Sequence, residues 1–488
     1  MGRVSNPSSP ILRRRVSQPN AGFSPFVAMC FTVNYIMGTG FLTLPLAFSS
    51  AGLGLSLLTL AVVCYLSDVS KNFMLEAMAR SNALLRTEAS PDKADAYVYP
   101  TGEASSLLHS REQEAQVVAE RTFEVVEMCR MYLGRRGRAA YMVTLFMYMF
   151  GTLWVYTTVF GHAMASSVHI TGDVGTDYLI WVGVFAVVVV PLTCMELREQ
   201  VGVQVVLSLA RFAMVLFMVG TTAGAMAGKE GVEQFGHQSG ARGAPLVDLS
   251  GFYKMVPIAT YANIYHHSIP GLSMPVADKS RLGFVFGATF AFGMFAYSLI
   301  GGTVAWYFGD GVDEAGANIN WGVYHAGTGH ENAHGEWVDR AWWVRMVAYF
   351  VVCFPALDVV SAFPLNGITL GNNLMVMWFG SRIAEVENNK RVTNLFRLAV
   401  SIPPILFASK WNNINKITDY TGITGFLIAF TFPAALHIYS KRAVVAKGMS
   451  ESNLFSQGFW SKDGPTYLVG GWGIFLVVFV FASLLLEG

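Results

Sequence analysis

The chain has 488 residues, 53% of them hydrophobic and only 13% charged, with 33 basic side chains against 32 acidic ones. Soluble domains carry roughly 25% charged residues, so this composition excludes an ordinary soluble enzyme or binding module. The formal net charge of +1 offers no electrostatic reason to expect a nucleic-acid partner.

In chain order, Arg13, Arg14 and Arg15 belong to a polar tail, 1–22, expected in the cytosol. The first apolar block, Phe23 to Ser49, exceeds the ~7–15 residues of a signal-peptide core and is expected to stay as the first span. Blocks of similar character follow at Leu53–Ala79, Ala139–Val168, Asp177–Cys194 and Val201–Ala227. They continue at Gly251–Val276, Phe284–Phe308, Trp337–Phe363, Leu395–Ala408, Ile417–Tyr439 and Tyr467–Leu486. Most are roughly 18 to 28 residues long, enough to cross a hydrocarbon core of about 30 Å. The ninth is short and carries Pro403 and Pro404. The reading is an all-α polytopic membrane protein with eleven transmembrane helices and the lipid bilayer as its principal partner.

Charge in the loops tests that count. With the amino end inside, the second-to-third connection, also inside, holds Arg86, Lys93, Arg111, Arg121, Arg130, Arg135, Arg136 and Arg138. Later inside loops carry Arg198; Lys279 and Arg281; Arg382, Lys390 and Arg391; and Lys441, Arg442, Lys447 and Lys462. The outside stretch Gly309–Glu336 has Asp310, Asp313, Glu314, Glu331 and Glu336 with no Lys or Arg. A missed or invented span would make this basic bias change sides, and it does not.

The long inside connection, 81–138, divides in two. Ser81 to Glu114, with Pro91 and Pro100, reads as a flexible cytosolic loop. From Gln113 to Leu133, Val117, Val118, Val125, Met128 and Tyr132 recur at three- and four-residue steps. That pattern fits an amphipathic helix lying on the membrane surface or a solvated cytosolic helix. Cys30, Cys64, Cys129, Cys194 and Cys353 include no CxxC pair, so neither a zinc site nor a disulfide framework is expected.

Two spans are interrupted near their middles. The first contains Asn34, Gly38, Thr39, Gly40 and Pro45; the sixth contains Tyr261, Tyr265, His266, His267, Ser268, Pro270 and Gly271. Five spans separate their starts, an odd number, so a second group of five enters the membrane in the opposite sense. Breaks at matching positions of inverted halves point to a transport site, where freed N–H groups meet a carboxylate and freed carbonyls a cation. Asn34, Gly38, Thr39, Gly40, Tyr261, Tyr265, His266, His267 and Ser268 are therefore the candidate substrate-binding residues.

Gly38-Thr39-Gly40-Phe41-Leu42-Thr43-Leu44-Pro45 resembles the G-x-G-x-L-x-x-P opening of the amino acid/auxin permease family, within the amino acid–polyamine–organocation superfamily. Phe123 to Met128 with Gly134 and Gly137, Tyr265 to Pro270, and Phe363-Pro364-Leu365-Asn366 resemble later segments of that family in the same order. His267-Ser268-Ile269-Pro270, Phe363-Pro364 and Asn372-Asn373 are most similar to its transmembrane protein 104 branch. The resemblance implies two inverted five-helix repeats (LeuT-like) plus an eleventh helix. The repeats would cover 23–227 and 228–440, and 441–488 would hold a cytosolic loop and the last helix. It also implies coupled amino acid transport through a site between helices 1, 3, 6, 8 and 10.

Charged groups at depth are expensive and mark function. Arg211 lies midway along the fifth span, positioned to neutralise a buried acid or to snorkel. Asp358 in the eighth span is a candidate proton acceptor, partner of Arg211, or carboxylate near a cation, with Ser361 close by. His266 and His267, about 100° apart on a regular helix, could not both face a cavity; one of them suits proton coupling. The ion-coupling candidates are His267, Asp358, Ser361 and Arg211. Tyr148, Thr152, Thr421 and Thr424 are candidate site lining. No nucleophile–base pair, metal-ligand cluster or phosphate loop is evident, so no enzyme activity and no cofactor are expected, only H+ or Na+ as coupling ion. The function expected is secondary active transport of amino acids or related zwitterions; the alternative is a nutrient receptor on a transporter fold.

Overall fold

The computed structural model describes residues 22–89, 123–227, 234–235, 243–314, 316–332, 337–386, 389–412 and 414–487. The arginines of the amino-terminal tail, and Val117 and Val118, lie outside the described residues.

The first apolar block is two helices, α1 (Pro25–Ile36) and α2 (Leu44–Ala51), bent by 63° across the glycine stretch. Ser24 starts α1, its hydroxyl accepting from the Val27 N–H at 3.3 Å, with Pro25 where its missing N–H does no harm. Then come α3 (Leu53–Ala89), α4 (Val125–Ser167), α5 (Val174–Cys194) and α6 (Val201–Ala227). The sixth block is again two pieces, α7 (Phe252–Tyr261) and α8 (Ile269–Ser273), joined through a 3-10 turn at His266–Ser268. After them lie α9 (Leu282–Phe308), α10 (Trp342–Phe379), α11 (Lys390–Ala408), α12 (Ile414–Phe426), α13 (Phe432–Ala446) and α14 (Asp463–Glu487). A π-helical turn, Leu427–Thr431, joins α12 to α13 just ahead of Pro433, whose ring removes a backbone donor.

Among the described residues, eight helices are long and apolar enough to cross a membrane, and the bent α1–α2 pair makes nine. The sixth and ninth blocks do not qualify on those terms. The sixth is cut to pieces of 10 and 5 residues, and α11 carries Lys390, Arg391 and Arg397 in its 19. Large apolar side chains such as Val187, Leu216, Phe284 and Trp378 point outward from the bundle, where in water they would be unfavourable. The protein is multi-pass, with lipid as the solvent of that outer surface.

One reading of the long inside connection changes. Helix α3 does not stop near Ala79 but runs to Ala89, and Ser81 Oγ lies 2.8 Å from the Tyr132 hydroxyl. The segment after Phe123 is helical from Val125, with one face packed on the bundle while Arg130 and Met131 stay exposed. It is the start of α4, with Phe123, Val125, Val126, Met128 and Cys129 buried and the Val126 N–H 3.5 Å from Asn373 Oδ1 on α10. Gly134, at φ 70°, redirects the chain within α4.

Candidate functional site: two helix breaks and a buried ion pair

Helix α1 ends at Ile36, and the chain resumes as a 3-10 turn over Thr39–Leu42. At Gly38 the backbone (φ −75°, ψ −165°) suits any residue. Space is what calls for glycine. A Cβ there would stand 3.0 Å from the Tyr156 hydroxyl, and one at Gly40 would stand 2.9 Å from Cδ1 of Tyr261. The gap at the first break is thus occupied by two tyrosines. Thr39 contributes backbone to this turn; its side chain lies outside the described residues.

The sixth-block break starts after Tyr261, and its freed backbone lies beside the first. The hydroxyl of Tyr297, on α9, is 3.2 Å from the Ile36 carbonyl and 2.8 Å from that of Ala262. Its one proton serves carbonyls released at both interruptions, in a setting where no lipid could substitute. The two histidines diverge. His266 Nε2 is 2.9 Å from the Ser67 carbonyl on α3, with its neighbour Tyr265 packed at an angle against Phe286 and Phe290. His267 turns the other way, its ring 5.4 Å from Tyr148 and 6.3 Å from Tyr35, with Nε2 3.4 Å from Asn366 Oδ1. Ser268 Oγ is 3.4 Å from Thr369 Oγ1, which also meets the Tyr35 hydroxyl at 2.7 Å.

One turn before the first break, Asn34 joins a charged cluster. The Arg211 guanidinium donates to Asp358 Oδ1, to Asn34 Oδ1 at 2.6 Å and to Ser361 Oγ at 3.4 Å. Asn34 Nδ2 donates to the Gln204 carbonyl at 2.8 Å and to its Oε1 at 2.7 Å. Helices α1, α6 and α10 are thereby tied together at depth. Arg211 is paired and not snorkelling. Arg211 Nε, Asp358 Oδ2 and His267 Nδ1 are buried with no hydrogen-bond partner among the described residues.

Next to the breaks lies a cavity of about 540 Å³. Gly40 and Thr43 wall it from the first break, Pro257 and Tyr261 from α7, Pro355 from α10, and Gly422 and Phe426 from α12. It reaches Glu314 and Asn318 in the acidic loop. Gly40 and Tyr261 are the expected site residues on its wall, and Pro355 brings α10 to it one turn ahead of Asp358. Asn34, Arg211, His267 and Asp358 form the neighbouring polar layer. At the opposite, basic end the start of the first block is clamped to the end of the sixth: the Phe23 N–H donates to the Pro275 carbonyl at 2.5 Å, and the Ala277 N–H to the Phe23 carbonyl at 3.2 Å.

Several polar residues in the same bundle went unremarked in the sequence. Tyr35, Gln204, Tyr297 and Thr369 had no distinguishing pattern. Asp68, Lys71, Glu76 and Arg80 did: they are ionisable groups within or just past the second apolar block. Their spacing, three and four residues, lets Lys71–Asp68 (2.8 Å) and Arg80–Glu76 (2.5 Å) pair on one helix face.

A sequence model described as "Transmembrane amino acid transporter protein" matches residues 22–448, nearly the whole chain. The chain belongs to that family. Curated members similar to it include the transmembrane protein 104 homolog of Dictyostelium discoideum, 24% identical over 87% of this chain and 90% of the relative. Human transmembrane protein 104 is 23% identical over 95% and 97%, and the Caenorhabditis elegans homolog 24% over 74% and 70%. Both breaks fall inside the matched region.

Proposed function

We propose that the chain is a secondary active transporter, a symporter of amino acids or related small zwitterions driven by a proton or sodium gradient. The substrate would sit at mid-membrane between the breaks of α1–α2 and α7–α8. The observation that carries this reading is the juxtaposition of the two breaks, sharing Tyr297, beside a cavity of about 540 Å³. N–H groups at the start of the Thr39–Leu42 turn suit a carboxylate, and carbonyls at helix ends suit an amine or a cation. Unfilled valences on Arg211, Asp358 and His267 are what a substrate or coupling ion would complete. On this reading the blocks form eleven spans, two inverted repeats of five (23–227 and 228–440) and a last helix. The backbone clamp at Phe23 and Pro275 would be the inner gate.

The test is uptake of a radiolabelled amino acid mixture into liposomes holding the purified chain, with an imposed proton or sodium gradient. Accumulation above equilibrium supports transport. Ligand-induced thermal stabilisation with no accumulation would instead identify a receptor, since a ligand bound by the folded state alone raises stability. Neither effect with any amino acid would sink both readings.

A further inference from the structure

Glu124 sits at the start of α4, fifteen residues ahead of the third apolar block and hence outside the spanning part of that helix. It is nevertheless buried, 7% exposed. Three other carboxylates in the bundle face cations: Asp358 meets Arg211, Glu76 meets Arg80, Asp68 meets Lys71. Glu124 forms no ion pair among the described residues. Its Oε2 accepts from Asn373 Nδ2 at 2.9 Å, and the Asn372 amide is a second partner.

Those partners lead back to the centre. The Asn373 amide donates its other proton to the Thr369 carbonyl at 2.9 Å, one turn up α10. Thr369 Oγ1 meets Tyr35 from the first span and Ser268 from the sixth-block break. On its other side Glu124 lines a second cavity, about 390 Å³, at the basic end, together with Gly271 and Pro275 just beyond that break. It therefore stands between the central polar layer and the basic-end compartment.

We propose that Glu124 is the group through which the coupled proton leaves the central site for the cytosol. This deepens the transporter reading and rests on it. The carboxyl O–H breaks, its proton passes to water in the basic-end cavity, and the bonding pair stays on the carboxylate; a proton arriving from the central layer restores the acid. Burial lifts the carboxyl from 4.5 to about 7, against the lowering pull of Asn373 and with Glu127 raising it further, so both forms are populated near neutrality. Other charged groups around it are accounted for. Glu196 and Arg198 line the cavity from the loop after α5. Arg397, from α11, is bound to Glu196 Oε1 at 3.3 Å and to the Cys194 and Met195 carbonyls. Tyr141 and Tyr35 are the nearby phenols.

The experiment compares wild type, Glu124→Gln and Glu124→Asp, each reconstituted into liposomes and given the labelled amino acid mixture. With a one-unit pH gradient, alkaline inside, one coupled proton supports accumulation of up to about tenfold. Wild type should approach that ratio. Glu124→Gln should exchange label between equal pools at the wild-type rate yet accumulate to a ratio near one, and Glu124→Asp should regain accumulation. Accumulation by Glu124→Gln equal to wild type, with exchange intact, overturns the proposal and leaves the transporter reading standing. So does accumulation that needs sodium and ignores pH. Absence of exchange in wild type removes the transporter reading and the proposal with it. An infrared titration gives a readout independent of transport: a protonated-carboxyl band vanishing near pH 7 in wild type and missing in Glu124→Gln is expected. If wild type has no such band, or Glu124→Gln keeps it, Glu124 holds no proton to deliver.

Discussion

Two of the buried ion pairs in this bundle are finished differently. At the basic end, Glu76 receives Arg80 at 2.5 Å, His437 at 3.2 Å and Ser456 at 3.0 Å on one oxygen, and Ser461 at 2.7 Å on the other. Arg80 spends its remaining donors on the His437 and Glu451 carbonyls and on Ser440. Helix α3, helix α13 and the 450–462 loop are locked by a saturated network. At the centre, Arg211 and Asp358 are as deeply buried, yet each keeps an open valence. Low dielectric makes a satisfied network rigid and an unpaired buried group costly. On the transporter reading, the comparison separates a fastening from a candidate site.

The largest effect should come from breaking the fastening. Glu76→Ala strands Arg80 and leaves His437 and two serines without their acceptor, a loss of about 3–5 kcal/mol for a buried pair. Thermal unfolding in detergent should show a large drop in midpoint; a shift indistinguishable from wild type would mean the network is ornamental. A smaller loss, about 1–3 kcal/mol from overpacking, is expected for Gly40→Leu, whose side chain must displace the Tyr261 ring. Amino acid binding should disappear while the protein still inserts. Binding that survives would make the first break a kink with no part in the site.

The smallest change in stability, and the sharpest test of the contrast, is the double replacement Arg211→Met with Asp358→Leu. Removing both members of a buried pair is often neutral or stabilising, so the double variant should unfold within about 1–2 kcal/mol of wild type. Accumulation of substrate should nevertheless vanish. The corresponding Glu76→Leu with Arg80→Met should remain destabilised, because His437, Ser456 and Ser461 would still lack their acceptor. If the central double variant is as unstable as the basic-end one, the two networks do the same job and the distinction fails.

The misreading of 81–89 as loop has a physical cause. Polar residues satisfied by distant partners look, in one dimension, like residues satisfied by water. Conversely, Asp358 was visible as an anomaly because a lone carboxylate in an apolar block is improbable on energetic grounds. Its candidate roles were three, proton acceptor, partner of Arg211 or carboxylate near a cation, and nothing local chose among them.

What the sequence determined by itself is the order and helical character of the apolar blocks, the presence of breaks at Gly38–Gly40 and around His266–Ser268, and the basic bias of alternate loops. Each depends on a property of adjacent residues: transfer of apolar surface, glycine and proline geometry, and charge near a membrane face. Tertiary structure alone decided the pairings. Arg211 meets Asp358 across 147 residues, Tyr297 bridges carbonyls 261 and 35 residues away, and Asn373 reaches Glu124 across 249. A hydrogen bond is short and directional, so which donor meets which acceptor is settled only when helices far apart in the chain pack side by side.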